Sequence, residues 1–242
     1  MVTLITRPQA EALFLQQKLY DMKFNSVIES MFTVVSLAID IVALERMFVT
    51  NKLQLIVFTS INSIKIFAKL TNIRNILVLT VGKVTAMHAK SLGFEHVITV
   101  DKDATEIVTY IRKNFVSSEV MIVYPHGKTI SVDIVSILRE DNFDVRDIVI
   151  YDVLPIQSLS ENVIEMINSK YITSVLFFSA ETARIFGILA KQAGIVLRLN
   201  SVISLSLSSK IASVLEWVPW KNSYVSSIPT EDALLKLLCE KL

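Results

Sequence analysis

Glycine is scarce in this chain. Its 242 residues include five, at positions 82, 93, 127, 187 and 194, where average usage of about 7% would give roughly seventeen. No GxGxxG and no GxxxxGK[ST] can be written with glycines so placed, which excludes the two commonest backbone cradles for nucleotide phosphates. Cysteine is scarcer: Cys239 stands alone, so there is no intrachain disulfide and no zinc site of the CxxC kind. His88, His96 and His126 lack ligand spacing, and no metal or other cofactor is expected. Neither sign of charge dominates, with 24 Lys and Arg against 23 Asp and Glu and a net charge of +1. A pI near 7.8 leaves no electrostatic footprint for nucleic acid. Long hydrophobic runs are missing too, although the mean hydropathy is +0.53. The most apolar window, 32–44, is broken by Asp40, short of the roughly 18 apolar residues that a membrane-spanning helix needs. The opening MVTLITRPQA reaches Arg7 too soon for the apolar segment of a signal peptide. Together these absences predict a cytoplasmic, reduced-compartment protein with neither a nucleic-acid nor a membrane partner.

What is present is a large apolar interior. Hydrophobic residues make up 52% of the chain and charged ones 19%, which excludes disorder and allows one large core or two smaller ones. Short Val- and Ile-rich runs at 2–6, 53–59, 76–79, 120–124, 145–151, 174–178 and 201–204 read as strands. Amphipathic stretches at 8–22, 62–70, 84–92, 104–114, 129–140, 182–193 and 209–216 read as helices between them. Pro8 suits a helix start. Asp103 and Glu106 have the spacing of a reciprocal cap, and Thr230 followed by Glu231 and Asp232 suits the positive end of a last helix. Strands alternating with helices predict an α/β fold with parallel sheets covered by helices.

The pattern also repeats. FTSINSIKIF (58–67) lies over FFSAETARIF (177–186) without a gap, 119 residues apart, and the same spacing carries Leu19 onto Leu138 and Phe24 onto Phe143. Residues 82–85 match 206–209 more loosely. Duplication predicts two related α/β lobes, and ligands of such pairs usually sit in a cleft. Pro155, after the run 150–154, and its counterpart 32–36 read as connectors rather than core strands. If both cross between lobes, the first βα unit belongs to the C-terminal lobe.

In its ordered motifs the chain resembles the uroporphyrinogen-III synthases. LITRP (4–8) with its following helix, VFTS (57–60) with Asn62 and Phe67, VGKVTA (81–86) with Gly93, and YPHG (124–127) carry the resemblance. Ile150-Tyr151 before Pro155, and Phe177-Phe178-Ser179 with Phe186, complete it. Each motif is weak alone; their order and spacing hold from residue 4 to the final helix. The resemblance implies two similar lobes joined by two crossing strands: a discontinuous, flavodoxin-like lobe of 1–33 and 154–242, and a second of 36–150. The connectors would be 32–36 and 149–156. It also implies a cofactor-free, monomeric lyase that closes hydroxymethylbilane to uroporphyrinogen III, turning over the terminal (D) pyrrole and losing water. Transient contact with the preceding and following pathway enzymes would accompany this. Two departures stand out. Ser206 and Lys210 replace the Gly and Ala of the second GxxTA-like turn, and His126 stands where Arg is more usual.

The substrate so implied carries eight carboxylates, and its unaided closure gives the uninverted isomer. Catalysis is then mainly a matter of holding a folded geometry. Ser60, Thr85, Ser179 and Ser209 are placed at strand-to-helix turns, as are Thr6 and Arg7. Helix starts bind anions, although helix capping alone would equally explain the Ser and Thr residues. Arg7 can fork onto a carboxylate or make a surface ion pair; Lys83 and, more weakly, Lys210 are similar. His126 can meet a carboxylate when protonated or be a solvated turn residue. Tyr151 is the candidate catalytic group, able to hydrogen-bond or protonate the departing hydroxyl; the alternative is a packed ring with a wet hydroxyl. Cys239 reads as structural. The rival to the enzyme is a non-catalytic two-lobe protein that binds a small anion.

Overall fold

The computed structural model describes residues 1–101 and 103–242. From the N-terminus come strand β1 (Val2–Ile5), helix α1 (Gln9–Asp21), β2 (Asn25–Ile28), β3 (Phe32–Ser36) and α2 (Ile41–Arg46). Next are β4 (Leu53–Phe58), α3 (Ile61–Leu70), β5 (Leu77–Val81), α4 (Lys83–Ser91), β6 (His96–Val100) and α5 (Ala104–Asn114). Then follow β7 (Val120–Gly127), α6 (Ile134–Glu140), β8 (Asp144–Pro155), α7 (Glu161–Asn168), β9 (Ile172–Phe177) and α8 (Ala180–Gln192). A 3-10 turn at Val196–Ser201 precedes β10 (Ile203–Ser206), α9 (Ser209–Ser213), β11 (Asn222–Val225) and α10 (Glu231–Lys241). No helix among the described residues is long and apolar enough to cross a membrane.

The chain divides into two compact units, Met1–Thr33 with Leu154–Leu242, and Val34–Val153. β3 and β8 carry the chain from one to the other. The first unit holds a five-stranded sheet in the order β11-β10-β9-β1-β2, and the second a six-stranded sheet in the order β3-β8-β7-β4-β5-β6. The fold is α/β, with parallel pairing from β1 to β2 and β9, from β10 to β9 and β11, from β4 to β5 and β7, from β5 to β6 and from β7 to β8.

Both faces of each sheet are covered, so its strands are apolar on both sides. Along β4, Leu55 and Val57 enter one core while Ile56 and Phe58 enter the other. Along β9, Val175 and Phe177 face one way and Leu176 the other. The helices start where capping residues stand. Ser60 accepts from Asn62 N, Asp103 from Thr105 N and Glu106 N, Ser179 from Thr182 N, and Thr230 from Ala233 N. Glu106 reaches back to Asp101 N at 3.1 Å, two residues earlier than the expected reciprocal cap.

The repeat is visible in three dimensions. The 119-residue spacing carries β4 onto β9 and α3 onto α8, and lays β1 and β2 within β7 and β8. From β5 the spacing lengthens to 126, taking Leu77 to Ile203 and Lys83 to Ser209 and bringing β6 onto β11; the 3-10 turn is the insertion. Matched in this way, β11-β10-β9-β1-β2 and β6-β5-β4-β7-β8 are the same spatial order. What differs is the point of entry: the βα pair that closes the second sheet last, β7-α6-β8, corresponds to the pair that begins the chain.

This register corrects one reading of the sequence. Gly82, the residue before α4, matches Ser208, the residue before α9. The counterpart of GKVTA is therefore SSKIA, residues 208–212, and Ser206 belongs to β10. Lys210 does not replace the motif's alanine; Ala212 holds that place.

Candidate active site

In each sheet the expected residues gather at the ends of the parallel strands where ligands of α/β sheets bind. In the second unit the chain runs from β4 outward to β5 and β6, then returns to the other side as β7 and β8. The switch point therefore lies between β4 and β7. A cavity of about 470 Å³ opens there. It receives Ser60 after β4, Val81 at the end of β5, Tyr124, His126 and Gly127 from β7, and Tyr151 from β8.

Tyr151 is 6% exposed and its ring lies against Gly127. Its hydroxyl makes no hydrogen bond among the described residues, so the phenol is an uncommitted donor on the cavity wall. It is not at a strand end, because β8 continues to Pro155. His126 is 7% exposed within β7, which replaces the solvated turn residue of the sequence reading. Strand β7 runs three residues further than its apolar core and carries the imidazole inside. Its ring stacks on Tyr124 with centroids 4.7 Å apart, and Nδ1 meets Gly127 O at 2.8 Å. A carbonyl only accepts, so Nδ1 carries the proton. Nε2 is buried without a hydrogen bond, 3.7 Å from Asp147 Oδ2. That carboxylate is already held by Arg139 at 2.6 Å. The carboxylate nearest to His126 is thus the chain's own.

Ser60 caps α3, with its Oγ accepting from Asn62 N at 3.2 Å. Thr85 does not cap; it lies in the first turn of α4, buried, and Gly82 precedes the helix with φ 76°. Lys83, the first residue of α4, is exposed.

The remaining residues belong to the first unit. Thr6 is fully buried at the end of β1 and donates from Oγ1 to Leu176 O at 2.7 Å. Arg7 is engaged on three sides: Glu11 at 2.6 Å, Glu231 at 2.5 Å, and the ring of Phe178 at 4.3 Å from its guanidinium carbon. Ser179 caps α8 and shares a 2.7 Å bond with Thr182 Oγ1. Ser209 is one residue inside α9, and Ser208 before it makes no side-chain cap.

Besides Asp103 and Ala104 at the start of α5, two parts of the cavity lie outside the sequence reading. Tyr124 is 2% exposed, with its hydroxyl 3.0 Å from Thr59 Oγ1. Burial raises its phenol above the usual value, against the opposing effect of the Thr59 bond. Its place in the YPHG motif, two residues before His126 on the same face of a strand, is the available signal. The second is the loop of Thr129, Ile130, Ser131 and Val132, which lines the cavity. The sequence pattern places this loop in a helix, but the helix begins at Ile134 under the cap of Asp133, whose carboxylate accepts from Ser136 N. No cluster of three or more potential metal ligands occurs among the described residues.

Comparison with known proteins bears on the whole chain. A search of curated proteins finds no match to the sequence. The uroporphyrinogen-III synthetase of Helicobacter pylori 26695 superposes with a TM-score of 0.57 at 16% identity, covering 100% of both chains, a likeness of fold. The wild-type uroporphyrinogen III synthase of the extremely thermophilic bacterium Thermus thermophilus gives a TM-score of 0.41 at 14% identity, again over 100% of both chains. The family model of uroporphyrinogen-III synthase HemD matches residues 15–236. A match of that extent takes in every element from within α1 to within α10, all but β1 of the two sheets, and the chain belongs to the uroporphyrinogen-III synthase (HemD) family.

Proposed function

We propose that the chain closes hydroxymethylbilane to uroporphyrinogen III, inverting the terminal D pyrrole and releasing water, as a lyase of tetrapyrrole synthesis. The family match over 15–236 carries this reading, and the cavity at the switch point of the second sheet suits it. The reaction starts with loss of the terminal hydroxyl. A proton donated to that oxygen lets it leave as water, and the remaining cation is attacked by a substituted carbon of the far ring. The spiro intermediate then fragments and recloses with the ring turned over, and the proton lost from the ring carbon at closure balances the one given to the hydroxyl. We assign the donor role to Tyr151, because its hydroxyl is uncommitted and faces the cavity. Tyr124, bonded to Thr59, does not compete for it.

Holding the substrate's carboxylates falls to helix starts. Those of α3 and α8 present backbone N–H groups beside Ser60 and Ser179, where the dipole favours anions. Lys83 and Thr85 in the first turn of α4, Ser209 at the start of α9 and Thr6 after β1 are proposed as further contacts. Arg7 and His126 enter only by exchanging Glu11, Glu231 or Asp147 for a substrate carboxylate. We also read the protein as a cytoplasmic monomer of two domains, the two units described above, working beside the preceding and following enzymes. Unaided closure gives the uninverted isomer, so a short path from supply to use favours the inverted one.

The test uses freshly generated hydroxymethylbilane, quenched, oxidised and resolved into porphyrin isomers. Isomer III in excess is expected. Isomer I alone, formed at the uncatalysed rate, would overturn the enzyme in favour of a small-anion binder, a reading that the family match disfavours.

A further inference from the structure

Tyr151 sits at an irregularity in its sheet. β7 and β8 stay in register from Met121 opposite Asp144 to His126 opposite Val149, and then Gly127 pairs with Tyr151. Ile150 is thus the extra residue of a bulge, and bulges re-aim the side chains next to them. A side chain on Gly127 would strike the phenol: its Cβ would lie 2.6 Å from Tyr151 Cζ, 2.7 Å from Cε2 and 3.0 Å from the hydroxyl oxygen. The backbone at Gly127 is not in the left-handed region, so its conformation does not call for glycine. The space above it does. Two bonds brace the place: His126 Nδ1 to Gly127 O at 2.8 Å, and Lys128 N to Tyr151 O at 2.9 Å.

We propose that Gly127 is a positioning residue for Tyr151, its missing side chain leaving the slot that holds the phenol over the cavity, with His126 bracing the bulge. This rests on the reading of Tyr151 as proton donor. His126 then also serves the reaction through the backbone.

G127A keeps the tyrosine and its hydroxyl but displaces the ring. In the intact chain we expect kcat to fall at least about tenfold with KM within about threefold, the pattern of an interaction made in the transition state. The fraction of isomer I should rise as unaided closure gains ground. Y151F should give a loss of the same order. G127A/Y151F should be no slower than the slower single variant, since both act through one group. A purely steric fault would lower Tm in both backgrounds and leave the kcat of the folded protein alone. In a Y151A background, which carries its own cavity cost, adding G127A should lower Tm no further, the new methyl entering the emptied slot, and kcat is not regained. The proposal is overturned if G127A keeps kcat within about twofold of wild type, or if the two losses multiply. If G127A does not fold, a G127A/Y151A variant that melts below Y151A alone also overturns it, because the ring is then not what the methyl strikes. Wild type that yields only isomer I would remove the functional reading, while the Tm comparison would still decide the packing.

Discussion

Arg74 ties together the ends of two helices, and replacing it tests how much that tie is worth. Its Nη2 donates to Ala68 O at 2.7 Å, Nη1 to Thr71 O at 2.9 Å and Ile73 O at 2.8 Å, and Nε to Leu92 O at 2.8 Å. The guanidinium carbon also stands 4.9 Å from the centroid of the Phe94 ring. These carbonyls belong to the last turn of α3 and the residues just beyond α3 and α4, where backbone acceptors lack helical partners and the dipole favours a cation. Each hydrogen bond to a charged group contributes about 1.5–3 kcal/mol, but the four are not additive because water reaches the carbonyls once the fork is gone. Arg74→Lys keeps the charge and loses the planar fork, and should cost about 2 kcal/mol. Arg74→Met keeps most of the stem but leaves all four acceptors, and should cost about 3–4 kcal/mol. Urea unfolding gives the totals, and amide exchange should quicken in α3 and α4 before it does in the first unit. A lysine variant within about 0.5 kcal/mol of wild type, with exchange unchanged, would refute the argument.

Other perturbations follow from the same geometry. Tyr151→Phe removes a hydroxyl that makes no hydrogen bond among the described residues, so Tm should hold while turnover falls at least about tenfold; unchanged turnover would remove it from the mechanism. Gly187→Ala should gain about 1 kcal/mol of helix propensity in α8. Its Cβ, however, would meet Leu215 Cδ2 at 2.6 Å and Trp217 Cζ2 at 3.0 Å. Trp217, 52% exposed, can yield and buried Leu215 cannot, so a net loss of about 1 kcal/mol is expected by thermal melting, and a gain would contradict the packing. Burial pushes the Glu231 carboxyl upward, but bonds and charges from Lys18 and Arg7 outweigh it and hold the group below its ordinary 4.5. A carboxyl depressed on folding stabilises above the unfolded value, and that stability is lost as pH falls through the folded one. Glu231→Gln should therefore flatten the decline of Tm below about pH 4.5, and an unaltered acid slope would speak against the network.

The sequence reveals the interior strands and hides the outer ones. β4, β7 and β9 are apolar on both faces, and their runs stand out at a glance. β2 (NSVI), β6 (HVITV) and β11 (NSYV) carry no such signal; each is an edge strand and largely exposed or half-buried. With one flank open to water, nothing forces such a strand into a continuous apolar run. Helix α2 is hidden for a related reason. Asp40, which breaks the most apolar window, caps that helix by accepting from Ala43 N at 3.1 Å. At the site, Ser60, His126 and Tyr151 are legible from local motifs and do line one cavity. Tyr124 and Thr59 stand in two of those motifs, but their pairing is not legible, because it is a hydrogen bond between residues 65 apart in sequence.

The permuted order of the two sheets has a consequence for synthesis. The second unit is one continuous stretch, complete once residue 153 has been made. The first begins with β1, an inner strand whose other neighbour is β9; Thr3 and Ser174, joined at 2.9 Å through their hydroxyls, stand 171 residues apart. A single βα pair with two strands has no independent stability. At elongation rates of about 5–20 residues per second, β1 and α1 wait roughly 10–30 s for β9 to emerge. Throughout that interval Leu15 and Leu19, buried in the finished protein, are open to solvent while the second unit is already able to fold. The interval of greatest exposure to aggregation and to chaperones therefore falls on the first thirty residues, which are made first and wait longest for their neighbours.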